Sequence, residues 1–191
     1  VRIHEINGGS LRNAIPRESS SVIAVPANKQ SAFKEEINKR ITDIKFEFKT
    51  TEKNLSILVE TCETPKQVMD SVAHGLIIKS IYTAHNGVYR MSADMANLVE
   101  TSNNVARILI KDGEITVMCL TRSSVESSKF DLAEALRSAF ELAGCEVTFA
   151  GSYPGWTPNV DSPILDVMVK LYEKLNGQKP HVVACHAGLE C

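Results

Sequence analysis

Hydrophobic and polar residues alternate in several short stretches of this chain, and between them apolar residues recur every three or four positions. A β-branched run at 20–26 predicts a strand. After Asn28 the apolar residues fall on every fourth position, which predicts an amphipathic helix capped by that asparagine. The alternation KFEF at 45–48 and the apolar run at 54–60 then predict a pair of strands.

The middle of the chain carries the clearest turn signal. Thr64 and Pro65 have the types expected of an N-cap and a first helical residue, so they predict the start of a second helix. An extended stretch at 99–110 is followed by KDGE at 111–114, and Asp-Gly between two alternating runs favours a tight hairpin. The hairpin's second arm is EITVMCLTR.

A third helix is predicted from Ser128 and Asp131, which form an S-x-x-D capping pattern, to Gly144. The run CEVTFAG at 145–151 predicts another strand. Composition changes at 151–163, which is rich in Gly, Pro and Ser and holds the single Trp, so this stretch is the predicted linker.

Beyond the linker, Ser162 and Pro163 predict the start of an amphipathic helix that Gly177 ends. HVVAC at 181–185 is a short apolar run of the kind seen in buried strands. A lone helix and strand cannot bury both their faces, so the pattern divides the chain into one unit over 1–152 and part of another over 153–191.

Helices alternate with strand pairs through the first unit, which indicates an α+β fold. We predict a two-layer sandwich with a mainly antiparallel sheet and helices on one face, as in ferredoxin-like domains. The pattern also repeats faintly, because Asn13 and Asn104 each precede a similar succession of strands and a helix. No Gly-rich loop of a nucleotide-binding fold occurs.

Composition narrows the possible partners. Of the 191 residues 43% are hydrophobic and 23% charged, enough apolar surface for a core, so disorder is excluded as the main description. A net charge of −2 gives no field to hold a polyanion, so we expect no nucleic-acid partner. No apolar run approaches the ~20 residues needed to cross a bilayer. We therefore expect a soluble, cytoplasmic protein with no membrane partner.

Cysteines and termini add two expectations. The five cysteines are odd in number and lack a CxxC spacing, which favours reduced, buried thiols over disulfides or a zinc site. The chain begins at Val1 without an initiator methionine and stops within a Gly-containing turn. We therefore expect a piece of a longer polypeptide.

Candidate functional residues are suited to binding more than to catalysis. Asn13 offers an amide donor and acceptor in a turn stiffened by Pro16, although it could instead cap its own backbone. Arg122 ends a predicted strand, where its guanidinium could hold a carboxylate through two hydrogen bonds or could form an ordinary surface ion pair. His186 and Gly188 lie in a turn that could approach a ligand closely.

Four separate motifs resemble aminoacyl-histidine dipeptidases, the carnosine-type family of co-catalytic zinc peptidases. In chain order they are GGSLRNAIPRE, NGVYRMSADMANLVETSNNVA, YPGWTPNVDSPILDVM and HAGLEC. The resemblance covers essentially the whole chain. It implies that 1–152 is most of the lid and dimerisation domain of such an enzyme, and that 153–191 returns to its catalytic α/β domain.

The resemblance also implies roles for individual residues. Asn13 and Arg122 match lid residues that hold the substrate, and the arginine is expected to engage the C-terminal carboxylate of the dipeptide. His186, Gly188 and Glu190 match the loop that lines the substrate pocket. Two zinc ions are expected in the full-length enzyme, but their ligands find no match here, so this chain alone is expected to hold no metal, to be inactive and to form a homodimer.

Two other functions remain open from the residues alone. A stand-alone ferredoxin-like small-molecule sensor or dimerisation domain would share the α+β pattern. A self-sufficient hydrolase using His85 or His186 would show turnover by this chain alone.

Overall fold

The computed structural model describes residues 1–159 and 161–184. It contains five strands and four α-helices, in the chain order expected of an α+β protein. The strands are β1 (Arg2–Gly9), β2 (Ser19–Ala24), β3 (Gly87–Met91), β4 (Val99–Lys111) and β5 (Glu114–Ser123). The helices are α1 (Gln30–Glu47), α2 (Ser71–Thr83), α3 (Glu126–Glu141) and α4 (Pro163–Asn176). The predicted α+β class is confirmed.

All five strands join one antiparallel sheet around β4. Strands β1 and β2 form one hairpin and β4 and β5 form another, and the two hairpins meet where β1 pairs with β4. Strand β3 pairs with the first half of β4, on the same side as β1. Each hairpin is followed by a helix, so the faint repeat in the sequence corresponds to two strand–strand–helix units within one sheet.

The β4–β5 hairpin turns at the Asp-Gly pair, as predicted. Asp112 has φ 51° and Gly113 has φ 84°, the two positive values that a type I′ turn requires. Gly9 shows a different need for glycine. Its φ is 70°, and a Cβ there would overlap the carbonyl oxygen of Ala106 on β4. The two hairpins can therefore meet only if this position lacks a side chain.

The hydrophobic core lies between the sheet and helices α2 and α3. Five buried residues form it: Ile77, Ala84, Leu132, Leu136 and Phe140. Val105 of β4 and Val117 of β5 pack against them from the sheet. Ser80 adds a polar tie between the helices, since its hydroxyl donates to the carbonyl oxygen of Ala139 at 2.8 Å. Both helices thus cover the same face of the sheet.

The predicted strand pair at 45–48 and 54–60 is wrong. Helix α1 continues to Glu47, and 54–60 has no regular secondary structure. The predicted cap at Asn28 is also wrong, because Lys29 is the N-cap and no side chain caps the helix. Phe48 follows Ile44 and Ile41 at helical spacing, so the apolar stripe of α1 extends into the supposed strand.

Helix α2 begins later than Thr64 and Pro65 predict. Its N-cap is Asp70, whose carboxylate accepts hydrogen bonds from the amides of Val72 at 2.8 Å and Ala73 at 3.1 Å. The bond from Ala73, followed by that from Val72, lowers the pKa of Asp70. Just before the cap, the Met69 amide donates to the carbonyl of Ile3 at 2.7 Å, which fastens this segment to β1.

Helix α3 begins at Glu126, so the predicted capping pair Ser128 and Asp131 lies inside it, and its N-cap Val125 makes no side-chain bond. Its end is as predicted, because Gly144 adopts φ 78° just beyond the helix. The predicted strand at 145–151 is wrong, since these residues join no ladder. They pack through side chains instead.

Helix α4 has the predicted bounds, with Pro163 at its first turn and Gly177 left-handed at its end. Ser162 is the N-cap residue but makes no side-chain capping bond. The predicted strand at 181–185 is not formed over 181–184, which has no regular structure, and Cys185 lies outside the described residues. The apolar face of α4 is exposed; Ile164 is 63% and Leu175 73% accessible.

Candidate functional site

Asn13 lies in the loop that joins β1 to β2, and a side chain of β4 holds this loop in place. The amide nitrogen of Asn104 donates to the carbonyl oxygens of Arg12 at 3.1 Å and Ala14 at 2.8 Å, one on each side of Asn13. Asn13 itself is exposed, and its side chain makes no hydrogen bond within the part of the chain that the structure describes. It is therefore not capping its own backbone, and its amide points to no internal partner.

Arg122 lies near the end of β5, opposite Ser102 of β4. Its Nε atom is buried and has no hydrogen-bond partner among the described residues. No carboxylate of those residues lies within ion-pair distance of its guanidinium. The surface ion pair considered for Arg122 is thus absent there. A buried donor without a partner is costly, so this atom is suited to an acceptor that arrives from outside.

The two predicted residues face the same side of the sheet. Ser102 and Asn104 are two positions apart on β4, so their side chains project to one face, and Arg122 projects to that face from the neighbouring strand. Asn104 holds the Asn13 loop over this face. Thr101 lies on the opposite face, where its hydroxyl contacts Ser128 of α3 at 2.8 Å. Asn13 and Arg122 therefore lie on the face away from α3.

A groove of about 570 Å³ runs beside β5 and is lined by residues from both ends of the first unit. Strand β5 contributes consecutive residues from both of its faces, so the groove follows the edge of this strand that is unpaired within the described residues, and helix α3 with residues 145–153 lines its other side. Arg12 and Arg122 both line it, so the groove connects the Asn13 loop with the end of β5.

Four basic side chains line this groove, and only two of them have acidic partners among the described residues. Lys129 lies 2.7 Å and Arg137 3.1 Å from a glutamate carboxylate of α3. Arg12 and Arg122 have no such partner in the part of the chain described. Two uncompensated guanidinium groups favour an anionic ligand, and a carboxylate can accept two hydrogen bonds from one of them.

The sequence interpretation missed two contributors to this site. Arg12 is next to the predicted Asn13, yet its place in the groove depends on a loop held by Asn104, about ninety positions away. In the sequence, Asn104 is marked only by the faint repeat. No local pattern shows that Asn104 bonds the backbone on either side of Asn13, because the two segments are adjacent only in the folded sheet.

The other three predicted site residues are close to the end of the sequence. His186, Gly188 and Glu190 lie outside the described residues. Within residues 1–159 and 161–184, no group of three or more His, Cys, Asp or Glu side chains is arranged to hold a metal ion. His85 packs edge-on against the ring of Tyr89, and its buried Nε2 has no partner among the described residues.

The cysteines of the described residues differ in their exposure. Cys62, Cys119 and Cys145 are free thiols, but Cys62 is exposed, so the expectation of buried thiols is wrong for this residue. Burial raises the pKa of Cys119, although a hydrogen bond with Asn103 opposes this. A thiol with a raised pKa is a poor nucleophile at neutral pH.

Among the helices of the described segments, none has both the length and the apolar character needed to span a membrane.

Comparison with known proteins links this geometry to one group of enzymes. No family profile matches the chain. The cytosol non-specific dipeptidase of Escherichia coli (strain K12) is 36% identical over 191 residues, which is all of this chain and 39% of the relative. The crystal structure of the aminoacylhistidine dipeptidase from Vibrio alginolyticus matches with a TM-score of 0.93 and 38% identity. That match covers 98% of this chain and 38% of the other.

The family resemblance inferred from the four motifs is confirmed by these relationships. The chain is homologous along its length to a segment of dipeptidases of this family, and it spans about two fifths of the length of the relatives it matches.

Proposed function

Because the chain is homologous to a segment of these dipeptidases, we propose that it is the substrate-gripping lid of a zinc-dependent dipeptidase that hydrolyses Xaa-His dipeptides. One observation carries this proposal: the buried Nε of Arg122 lacks a partner among the described residues, at the edge of a groove that the Asn13 loop also borders. The guanidinium would hold the C-terminal carboxylate of the dipeptide. Asn13 would hydrogen-bond the peptide and orient it.

The large exposed surface of the chain supports a role within a bigger protein. Its accessible surface is 14618 Å², whereas a compact 21.0 kDa monomer would expose about 9,000 Å². The apolar face of α4 contributes to the excess, with Met168 and Leu171 about half exposed. We propose that residues 153–191 pack against a catalytic domain and that 1–152 closes over it.

In this proposal the chain binds and orients the substrate, and the bond cleavage takes place elsewhere. A pair of zinc ions would polarise the peptide carbonyl and lower the pKa of a bound water. No three His, Cys, Asp or Glu side chains of the described residues are arranged to hold a metal ion, and the family resemblance implies that the zinc ligands belong to polypeptide outside this chain. Lid closure would exclude water from the site. Because Arg122 would hold the C-terminal carboxylate of the dipeptide, closure would also place the peptide carbonyl next to the metal ions. The cytosolic name of the E. coli relative supports a cytoplasmic location.

The test is a dipeptidase assay of the full-length protein with Xaa-His dipeptides. We expect turnover that is lost on treatment with a chelator and restored by zinc, and no turnover by residues 1–191 alone. The same peptides with an amidated C-terminus should be poor substrates, because they lack the carboxylate that Arg122 would hold. Full activity of this chain by itself, or equal rates for free and amidated peptides, would contradict the proposal.

We also propose that this unit makes a homodimer. Strands β2, β3 and β5 each pair along one side only within the described residues, so three strand edges keep free backbone groups that could pair across a two-fold axis. Sedimentation equilibrium of the full-length protein should give the mass of a dimer at micromolar concentration. A monomer throughout the range from 1 to 50 μM would show that the edges do not associate.

A further inference from the structure

We infer that Glu126 and Lys129 form a latch that fixes residues 152–157 onto the start of α3, and that this latch positions Arg122. The role of Arg122 in this inference rests on the proposed function. The latch itself rests only on the hydrogen bonds and the ion pair that join α3 to residues 152–157. The contacts make the Gly- and Pro-rich stretch after Gly151 part of the first unit through Thr157, so the boundary proposed after residue 152 moves to beyond Thr157. Glu126 and Lys129 are positioning residues. Lys129 lines the groove, but its three donors are used by Glu126, Ser152 and Tyr153, and Glu126 is not among the described lining residues.

The centre of the latch is a buried ammonium group. Lys129 is only 9% exposed, and its Nζ lies 2.7 Å from Oε1 of Glu126. The same Nζ donates to the carbonyl oxygen of Tyr153 at 2.8 Å and to the hydroxyl of Ser152 at 3.2 Å. All three donors of the ammonium are thus used, two of them by the linker. A buried charge must be compensated in this way, so removal of one partner strains the others.

The carboxylate of Glu126 joins the linker a second time. Its Oε2 accepts a hydrogen bond from the amide of Gly155 at 2.8 Å, while Oε1 contacts Lys129. The hydrogen bond from Lys129, followed by that from Gly155, lowers the pKa of Glu126. The group is therefore ionised at neutral pH, where both contacts are charge-assisted.

The linker rests directly on the residues that follow Arg122. A Cβ at Gly155 would lie 2.8 Å from the carbonyl oxygen of Ser123 and 2.9 Å from that of Ser124, so only glycine allows this close approach. The Thr157 hydroxyl also donates to the Ser124 carbonyl at 3.1 Å. The latch therefore presses the linker onto the junction between β5 and α3.

A buried set of hydroxyl groups, those of Thr101, Ser123 and Ser128, also holds the junction between β5 and α3. Thr101 Oγ1 lies 2.8 Å from the hydroxyl oxygens of both Ser123 and Ser128, and Thr101 is fully buried. The Ser123 hydroxyl accepts from the Val125 amide at 3.0 Å. The end of β5 is thus held between these hydroxyl groups and residues 152–157. Because Arg122 directly precedes Ser123, its backbone is held with this segment.

Hydrogen exchange on the 191-residue chain tests the latch itself. In Glu126→Ala we expect the Gly155 amide to exchange about tenfold faster or more, because it loses its acceptor, and the other amides of 152–157 to exchange faster as the segment loosens from α3. The matched control is Glu134→Ala, which removes the exposed i,i+3 pair with Arg137 on the same helix and touches no linker residue. Unchanged protection of 152–157 in Glu126→Ala would overturn the latch.

Lys129→Met is a second test, for the case in which Glu126→Ala does not fold. It keeps about the same side-chain length but removes the charge and the hydrogen-bond donors. It should also speed exchange at 152–157 while the core of α3 stays protected. Lys129→Arg, which keeps the charge, should restore part of the protection. If both substitutions leave exchange as in the original chain, the contacts at Lys129 do not hold the linker.

The coupling to Arg122 is tested by a double-mutant cycle in the full-length enzyme. Lys129→Met should lower kcat/KM for an Xaa-His dipeptide several-fold, and clearly less when Arg122→Ala is already present, because the two effects pass through one side chain. Strictly additive effects would overturn the positioning role. If the full-length protein cleaves no dipeptide, the proposed function fails, but the exchange experiment still decides the latch.

Discussion

Replacement of Arg122 with alanine is expected to lower kcat/KM of the full-length enzyme for an Xaa-His dipeptide by about 30- to 1,000-fold. That range corresponds to about 2–4 kcal/mol of transition-state binding, as found when one partner of a buried charge-assisted contact is truncated. The physical reason is that Arg122 has a buried Nε without a partner among the described residues, so the substrate carboxylate would be its first acceptor. Steady-state kinetics measures the loss.

Two controls make this prediction specific. Arg40→Ala removes an arginine from the exposed i,i+4 pair with Glu36 on α1, far along the chain from the groove, and should leave kcat/KM nearly unchanged. Arg122→Lys should retain part of the activity, because it keeps the charge but loses the paired donors. For an amidated dipeptide, Arg122→Ala should cost much less. Unaltered kcat/KM with the free dipeptide would refute the assignment.

Replacement of Leu132 with alanine is expected to destabilise the fold by about 2–5 kcal/mol, the usual cost of a cavity at a fully buried leucine. Leu132 is 1% exposed and packs with Ile77 and Phe140 between α2, α3 and the sheet. Urea denaturation followed by circular dichroism should show a lower midpoint at constant m-value.

Leu142 offers the matched control for that experiment. It follows the same helix as its C-cap residue and is 83% exposed, so Leu142→Ala should change the unfolding free energy by no more than about 0.5 kcal/mol. Equal shifts for Leu132→Ala and Leu142→Ala would mean that the core does not lie where the structure places it.

Elements marked by backbone chemistry were predictable from the sequence. The Asp112–Gly113 turn and the helix from Pro163 to Gly177 depend on residues whose allowed φ angles leave few choices, so local pattern is sufficient. Helix starts were less predictable. Ser128 has the right type for a cap, but its hydroxyl bonds to Thr101 on β4, a contact that arises only when the helix packs on the sheet.

Strands were predicted too often, because an apolar alternation is compatible with more than one structure. Phe46 and Phe48 alternate with charges, yet α1 continues through the first of them. Residues 145–150 are apolar enough for a strand but are fixed by side chains: Val147 packs on the core, and Arg137 lies 4.0 Å from the ring centre of Phe149. Pairing depends on a neighbour at the right distance, and the pattern of one segment does not contain that information.

The candidate site was predictable only in part for the same reason. Asn13 and Arg122 could be named from the family motifs. Their common face, the contribution of Arg12 and the unpartnered Nε depend on the join between β1 and β4, whose residues are about one hundred positions apart. Contacts of that range are set by the whole fold.

The join between the two hairpins also has a consequence for biosynthesis. It consists of four residue pairs, from Ile6–Ile110 to Gly9–Arg107. At about 5–20 residues per second a ribosome needs roughly 5–20 s to make the intervening chain. During that interval the inner edge of the first hairpin has no partner strand. Two of the four β1 residues that pair with β4 are Gly8 and Gly9, and glycine is a poor strand former. The unpaired edge of β1 is therefore a weak template for pairing with other nascent chains.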